Sequence, residues 1–182
     1  MKKTIACLSL FLFMSAMILV SSNWQPVANT KVNFTIDGMF GKDVKGIIAG
    51  LRSDIEFYPE DLSRSSISAS ISPATINTGI KKRDTHLKTS DYFEVEKYPT
   101  ISFNSKSFRK VGEYFVVEGN LTLKDVTKAI TIPFEFTARG DSAWFNGDFN
   151  INRLDYHLGK KSRFMGNEVR IHLNIPVTGQ KN

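Results

Sequence analysis

Apolar and polar residues alternate along most of the chain after residue 22. In the segment KVNFTI, Val32, Phe34 and Ile36 alternate with polar residues, and EVRIHLNIPV near the end of the chain repeats the pattern. A period of two is typical of a strand that has one dry face and one solvated face. We count about eight such strands, separated by turns that contain Gly, Asp and Asn.

Strands with a single dry face are typical of antiparallel pairing. They bury that face either by stacking into a sandwich or by closing into a barrel. Only residues 81–91 have a helical pattern, and this segment is too short to cover a flat sheet. Gly46 and Gly50 fall inside a long strand-like run, where they indicate a bend or bulge. We therefore favour an all-β, eight-stranded antiparallel barrel, with the short helix near one end, over a sandwich.

Large apolar side chains occupy the dry face of these strands. The residues that we predict to line the barrel interior are Phe34, Ile36, Ile71, Phe103, Ile132, Phe134, Phe136, Phe149, Ile171 and Leu173. A barrel of eight strands is close to the size at which its interior is either filled or holds one small ligand. A lining of Phe and Ile suits a long, thin, apolar molecule. The alternative is that these side chains simply fill the core.

The start of the chain differs from the rest. Lys2 and Lys3 precede an uncharged run from Thr4 to Val20, and polar residues follow. This is the layout of a secretory signal peptide, with cleavage after Ser22. An uncleaved membrane anchor is the alternative, but a run of about 17 residues is shorter than the ~20 that a spanning helix usually needs.

We expect residues 1–22 to be removed and residues 23–182 to form one domain in the periplasm or outside the cell. Without the leader the chain has no cysteine, because Cys7 lies within it, so the domain depends on its core alone. The net charge of +6 falls to about +4 without the leader, since 22 basic and 18 acidic residues remain. These charges are spread out rather than clustered, so we expect no nucleic-acid partner.

A polar segment, INTGIKKRDTHLKTSDYFEVEKYPTISF, interrupts the alternation between residues 76 and 103. Its one histidine is His86, and the other histidines lie far along the chain. A metal site needs three or four converging ligands, so we expect no metal and no cofactor. The sequence has no Gly-x-Ser-x-Gly motif, and nothing in it brings two carboxylates together. We therefore predict no catalytic residues and no enzymatic activity.

The same segment closely resembles the YceI-like family of bacterial exported proteins. The family pattern is Thr-Gly, then Arg-Asp-x-His-Leu, Asp-x-Phe-x-Val and Tyr-Pro. The matching residues here are Thr78, Gly79, Arg83, Asp84, His86, Leu87, Asp91, Phe93, Val95, Tyr98 and Pro99. Later matches are Gly119, Leu121, Thr122, Val126, Thr127, Lys128, Asn152, Arg153, Asp155 and Tyr156. The resemblance extends from Trp24 to Val177.

The resemblance implies a lipocalin-like periplasmic barrel that holds a polyisoprenoid or an isoprenoid quinone, without catalytic residues. It also implies that Phe93 turns into the barrel and contributes to the ligand-binding lining. The polar cluster would then be structural, anchoring the helix to strand ends. The residues assigned to this structural motif are Arg83, Asp84, His86, Asn152, Arg153 and Asp155.

We thus expect an exported, non-enzymatic protein that holds an isoprenoid lipid for transport, storage or sequestration, and that contacts the inner membrane or a membrane protein transiently. The alternative is a filled barrel that binds no small ligand and partners a membrane redox or envelope-stress complex. Many family members have an Asp and a His-Ser near the first strand, where this chain has Ala28, Asn29 and Thr30. Contacts to a ligand's polar end therefore do not transfer from the family to this chain.

The leader gives a first testable prediction. We expect the protein recovered from its host to begin at Asn23, because the uncharged run is bounded on both sides and is short for a membrane span. N-terminal sequencing of the periplasmic fraction measures this. Intact Met1 in the membrane pellet would contradict the prediction.

Overall fold

The computed structural model of the protein describes residues 23–179, so the predicted leader, residues 1–22, lies outside the described part. Strands dominate it, with one α-helix, α1 (Lys81–Leu87). The strands are β1 (Asn23–Pro26), β2 (Lys31–Ile36), β3 (Val44–Ala49), β4 (Arg52–Glu56), β5 (Ser66–Ile71), β6 (Ile101–Val111), β7 (Tyr114–Leu123), β8 (Val126–Arg139), β9 (Ser142–Asn152) and β10 (Glu168–Gly179).

These ten segments form the eight strands of a closed antiparallel barrel. β1 and β2 are the two parts of one interrupted strand. β3 and β4 are the two parts of the neighbouring strand, which pairs with the first and is also interrupted. The second interruption falls at Gly50, in the left-handed conformation (φ 80°), where the sequence indicated a bend. The barrel closes because β10 pairs with β9 on one side and with both β1 and β2 on the other. The predicted architecture is confirmed.

Two elements differ from the sequence-based prediction. β1 was not predicted, because a strand of four residues that ends in Pro26 is too short to show alternation. The helix ends at Leu87 rather than at residue 91. Thr89 stops it: its hydroxyl donates a hydrogen bond of 2.8 Å to the carbonyl of His86, a side-chain bond to the backbone that competes with helix continuation.

The two longest connections, 72–100 and 153–167, lie at the same end of the barrel, because the connections of an antiparallel sheet alternate between its two ends. We call this the loop end; its segments are 37–43, 72–100, 124–125 and 153–167. The opposite end, the hairpin end, has the connections 57–65, 112–113 and 140–141. The two ends of the barrel can therefore differ in function.

Aromatic side chains fill the hairpin end. Phe57 follows β4, is 1% exposed, and its ring centroid lies 4.9–6.0 Å from those of its aromatic neighbours. Most of these pairs are edge-to-face, the geometry that aromatic rings prefer. We call this cluster the aromatic floor; its rings are Phe57, Phe108, Phe115, Phe134, Phe136 and Phe145, with Trp24 against Phe136.

Burial changes along the barrel axis. On β10, Ile175 and Val177 at the hairpin end are only 5% and 1% exposed. Ile171 and Leu173, which point the same way nearer the loop end, are only half-buried. A strand whose inward side chains are closely packed at one end and loosely covered at the other indicates an interior that is filled only in part.

This gradient predicts unequal costs of truncation. Replacing Phe57 with Ala should lower the free energy of unfolding by about 3–5 kcal/mol, because the ring is packed on all sides. Phe149→Ala, a matched change at a half-buried ring nearer the loop end, should cost clearly less. Equilibrium denaturant unfolding of both variants measures the difference. Equal losses would contradict a barrel filled at one end only.

Candidate functional site

A cavity of about 300 Å³ lies between the aromatic floor and the loop end. This volume is at the lower end of the range of about 300–1,000 Å³ for small-molecule pockets. Most of its wall is formed by aliphatic and aromatic side chains. The lining also includes polar residues, which turn apolar atoms towards the cavity; they are Ser53, Ser70, Thr78, Arg83, Tyr92, Ser102 and Arg153.

Three adjacent strands supply a row of large side chains to the wall. Ile171 on β10 is the register partner of Phe34 on β2 and of Phe149 on β9. The Phe34 ring lies against Gly46 of β3, where an added Cβ would be 2.3 Å from the ring atom Cζ. The glycine thus lets the ring lie against the wall and leaves the centre of the cavity open. This close approach explains a glycine that the sequence suggested only as a bend.

The structure places nearly all of the predicted lining residues on the cavity. Those found there are Phe34, Ile36, Ile71, Phe93, Phe103, Ile132, Phe134, Phe149, Ile171 and Leu173. The prediction is wrong for Phe136, which faces inward but packs into the aromatic floor between Trp24, Phe57 and Phe145. Alternation gives the face of a strand but not the depth along the barrel, so it could not separate floor from cavity.

Several cavity residues were missed by the sequence analysis. Val32, Ile130 and Val169 share the dry face of predicted strands, so alternation alone could have included them. Ile76 and Leu87 also line the cavity, but they lie outside the strands. No period-two pattern marks such positions, and only the folded chain brings them to the wall.

The segment 76–93 closes the side of the cavity next to β3. Asn77 forms two backbone hydrogen bonds with Ile47 of β3, of 2.9 and 3.0 Å, and so continues the sheet at this point. Leu87 and Phe93 from the same segment line the cavity. The helix is therefore part of the wall, and the inward turn that we expected for Phe93 is what the structure has.

Thr78 connects the two charged residues at the start of α1. Arg83 donates from Nε to the Thr78 hydroxyl at 2.7 Å and from Nη2 to the Thr78 carbonyl at 2.9 Å. The Asp84 carboxylate accepts from the Thr78 amide at 2.9 Å and from its hydroxyl. These bonds hold α1 against the strand-like residues before it, rather than directly against strand ends.

His86 does not join the helix to a strand, contrary to our expectation. Its Nε2 lies 3.2 Å from the Asp91 carboxylate, and its ring meets the Tyr92 ring edge-on at 5.1 Å. The reason is the early helix end, after which the chain turns back so that Asp91 comes beside His86. The pair is exposed and keeps this turn in place.

Arg153 fixes the long connection before β10. It is 2% exposed and donates to the carbonyls of Gly166, Leu158 and Lys160 at 2.7–2.9 Å. Burial lowers the pKa of its guanidinium, although the group stays charged. The Asn152 side chain accepts from the Leu154 amide at 3.0 Å and caps the short turn that follows. These bonds give both residues a structural part in shaping the loop end.

Asp155 and Tyr156 complete this turn. The Asp155 carboxylate lies 2.9 Å from the Lys128 ammonium on the solvent side, where an ion pair contributes little stability. The Tyr156 side chain points the other way and is 2% exposed. Burial raises the pKa of its hydroxyl. The turn therefore packs one side chain into the core and leaves its neighbour on the surface.

The three histidines lie apart from one another, and each faces one aspartate. His157 lies 3.4 Å from Asp125, and His172 lies 2.6 Å from Asp148. Within residues 23–179 no group of three or more His, Cys, Asp or Glu side chains is arranged to hold a metal ion. In the same part of the chain, no helix has the length and apolar character needed to cross a membrane.

Comparison with known sequences gives consistent matches. Residues 24–177 match the family model of the YceI-like domain, a range that includes the motif residues identified above. A UPF0312 protein of Photorhabdus laumondii is 29% identical over 177 residues, which cover 90% of this chain and 92% of that protein.

Comparison with solved structures supports the same architecture. Burkholderia cenocepacia BcnA matches with a TM-score of 0.78 at 22% identity, covering 82% of this chain and 96% of BcnA. A polyisoprenoid-binding domain of Saccharophagus degradans, implicated in plant cell wall breakdown, matches with a TM-score of 0.69 at 14% identity, covering 88% and 100%. At these identities the likeness shows a shared fold.

The bonds at Thr78 predict the effect of removing Arg83. Arg83→Ala should lower the free energy of unfolding by about 1–3 kcal/mol, because it removes two hydrogen bonds at a partly buried site. Arg109→Ala is the matched control, since Arg109 is exposed on β6 and only 3.6 Å from Glu118; it should change stability little. Thermal unfolding of both variants measures this. If Arg83→Ala melted like the parent but lost a ligand that the parent holds, the structural assignment would be wrong.

Proposed function

Because the chain belongs to the YceI-like family, we propose that its barrel binds one polyisoprenoid or isoprenoid-quinone chain inside the cavity. The observation that carries the proposal is an apolar cavity closed by the aromatic floor and bordered by loops at the other end. Such a shape fits a long apolar chain that enters at the loop end and stops at the rings around Phe57.

The driving force for binding is burial of the chain. Each methylene group transferred from water contributes about 0.8 kcal/mol, which is offset in part by the cost of ordering a flexible ligand. Gly46 and Gly119 give the rings of Phe34 and Phe103 room against the wall, so part of the site is already open before a chain binds. A preformed site keeps the cost of binding low.

The polar end of the ligand would remain near the loop end. Thr78, Arg83 and Tyr92 border the cavity there from the segment around α1, but the surface that the described residues present to the cavity is apolar. A quinone or hydroxyl group would therefore stay at the mouth of the cavity, where it keeps contact with water, and only the apolar tail would be buried. The structural neighbour from Saccharophagus degradans, described as polyisoprenoid-binding, supports this choice of ligand class.

We further propose that the protein acts without catalysis, in the periplasm or outside the cell after removal of residues 1–22. The separation of the three histidines and the apolar wall support a binding role. The protein would store, sequester or carry the lipid, and exchange requires transient contact with the inner membrane or with a membrane protein. The alternative of a filled barrel accounts for the hairpin end but not for the cavity between the floor and the loop end.

A charge placed in the cavity tests this proposal. Ile171→Lys should leave the protein folded, because its position is half-buried and a lysine can extend its ammonium towards water. The ammonium should exclude an apolar chain. Organic extraction of the protein from its own host, followed by mass spectrometry, should find an isoprenoid with the parent and little with the variant.

The matched control is His172→Lys on the outer face of the same strand. His172 lies beside the Asp148 carboxylate, so a lysine there keeps an ionic partner, and the isoprenoid content should stay at the parent's level. Equal content in both variants, or an absence of isoprenoid from the parent, would contradict the proposal. Circular dichroism melting establishes that both variants are folded.

A further inference from the structure

Exposed apolar side chains surround the loop end. Phe40 is 89% exposed, Phe164 is 65% exposed and Ile80 is 53% exposed. Each lies within a few residues of the cavity wall in sequence: Phe164 is next to Met165, and Ile80 lies between Thr78 and Arg83. Large apolar side chains on loop tips around a cavity opening mark a surface that contacts something less polar than water.

The backbone at Phe40 strengthens this interpretation. Phe40 has φ 58° and ψ 33°, the left-handed conformation that side chains other than glycine rarely adopt. Gly41 follows with φ 70°. The tip of the loop between β2 and β3 thus accepts an unfavourable conformation at the residue whose ring it exposes. An unfavourable backbone that the fold retains is a reason to look for function at that residue.

The loops that carry Phe40 and Phe164 are fastened to each other. The Gly166 amide donates to the Asp37 carbonyl at 2.8 Å, and Arg170 bridges the carboxylates of Asp37 and Asp43 at 2.8 and 3.2 Å. The bond to Asp37 raises the pKa of Arg170. The two rings are therefore displayed from one connected surface, and the two carboxylates of the first loop share one guanidinium.

Unpaired basic residues flank these rings. Lys160, Lys161 and Arg163 precede Phe164, with no acidic residue between Tyr156 and Asn167. All three are exposed, and none forms an ion pair with another residue in the range 23–179. Lys81 and Lys82 likewise follow the exposed Ile80 directly in the sequence.

The connections at the hairpin end are net acidic. Its connections carry more acidic than basic residues; they are Glu60, Asp61, Glu113 and Asp141, against Arg64 alone. The loop end, in contrast, combines the exposed apolar tips with basic residues that have no acidic neighbour in sequence. Basic residues around inserted aromatic side chains are the combination that binds the surface of an anionic bilayer.

We infer that the loop end docks on an anionic lipid bilayer, with Phe40 and Phe164 entering the interface and Lys160, Lys161 and Arg163 against lipid phosphates. This inference rests on the proposed function, since docking would bring the cavity opening to the membrane that supplies or receives the lipid. Single apolar tips on separate loops suit a deformable bilayer better than a protein partner, whose interface needs a contiguous packed centre.

Vesicle flotation tests the docking surface with protein purified from its own host. The protein should float with vesicles of phosphatidylglycerol and phosphatidylethanolamine at low ionic strength, less so at high ionic strength, and not with phosphatidylcholine alone. Replacing Lys160, Lys161 and Arg163 with Glu should lower the affinity for anionic vesicles by roughly 100-fold or more, because each basic residue near the membrane surface contributes about fivefold.

The paired variant Phe40→Ser with Phe164→Ser should lower vesicle affinity roughly tenfold or more, because both rings lose their apolar environment. The control is Val111→Ser with Tyr114→Ser at the hairpin end, where these side chains are 52% and 51% exposed; it should float like the parent. Any of three results would overturn the inference. The parent protein does not float with anionic vesicles, the control variant loses as much binding as the Phe pair, or binding requires protease-sensitive membrane proteins.

The isoprenoid content of the same samples separates the two proposals. Docking variants should still contain isoprenoid when extracted, because Phe40 and Phe164 are absent from the cavity wall. Flotation without any isoprenoid in the parent would contradict the proposed function while supporting the membrane surface. Isoprenoid in a parent that does not float would overturn the docking surface alone.

Discussion

The packing of aromatic rings around Phe57 determines how much of the barrel interior stays open. Eight antiparallel strands enclose a space that side chains can fill completely, and here the floor rings fill only the hairpin end. Phe57 reaches them from the connection after β4, not from a strand. Its ring is in edge-to-face contact with Phe115, Phe134, Phe136 and Phe145. Above this cluster the strands continue, but their inward side chains no longer meet across the barrel.

Closure of the sheet makes this division possible. β10 pairs with β9 over its whole length and, on its other side, with β1 near the hairpin end and β2 near the loop end. No strand edge is left there, and the wall stays rigid without a filled centre. At the loop end, β3 has Asn77 rather than a full strand beside it, so the segment around α1 completes the wall. The hydrogen bonds of Thr78 and Arg153 keep the loops shaped around an apolar space.

Much of this structure follows from the sequence by local rules. Period-two alternation predicted the inward face of Phe34, Ile132 and Ile171, and the local pattern of residues 81–91 predicted the position of the helix. The rules do not predict how far along the barrel axis a side chain lies, or which residues come together where the chain reverses its direction. Phe136 has the same pattern as Phe134 but lies one step deeper, within the floor.

Other features had no local signal. Phe57 continues the alternation of Ile55, which predicts an inward face, but nothing local marks it as the centre of the floor. β1 is too short for a pattern, yet it closes the barrel. Ile76 and Leu87 reach the cavity only through the fold of segment 76–93, and the exposed ring of Phe40 depends on a backbone conformation that composition does not reveal.

The central claim is that the space above the aromatic floor holds an extended apolar chain. The most direct measurement is a crystal structure of the protein purified from its own host without organic extraction. We expect continuous elongated electron density between Phe34 and Phe149, ending at the floor beside Phe134. Inward movement of Phe34 and Phe149 that closes the cavity, with no such density, would contradict the claim.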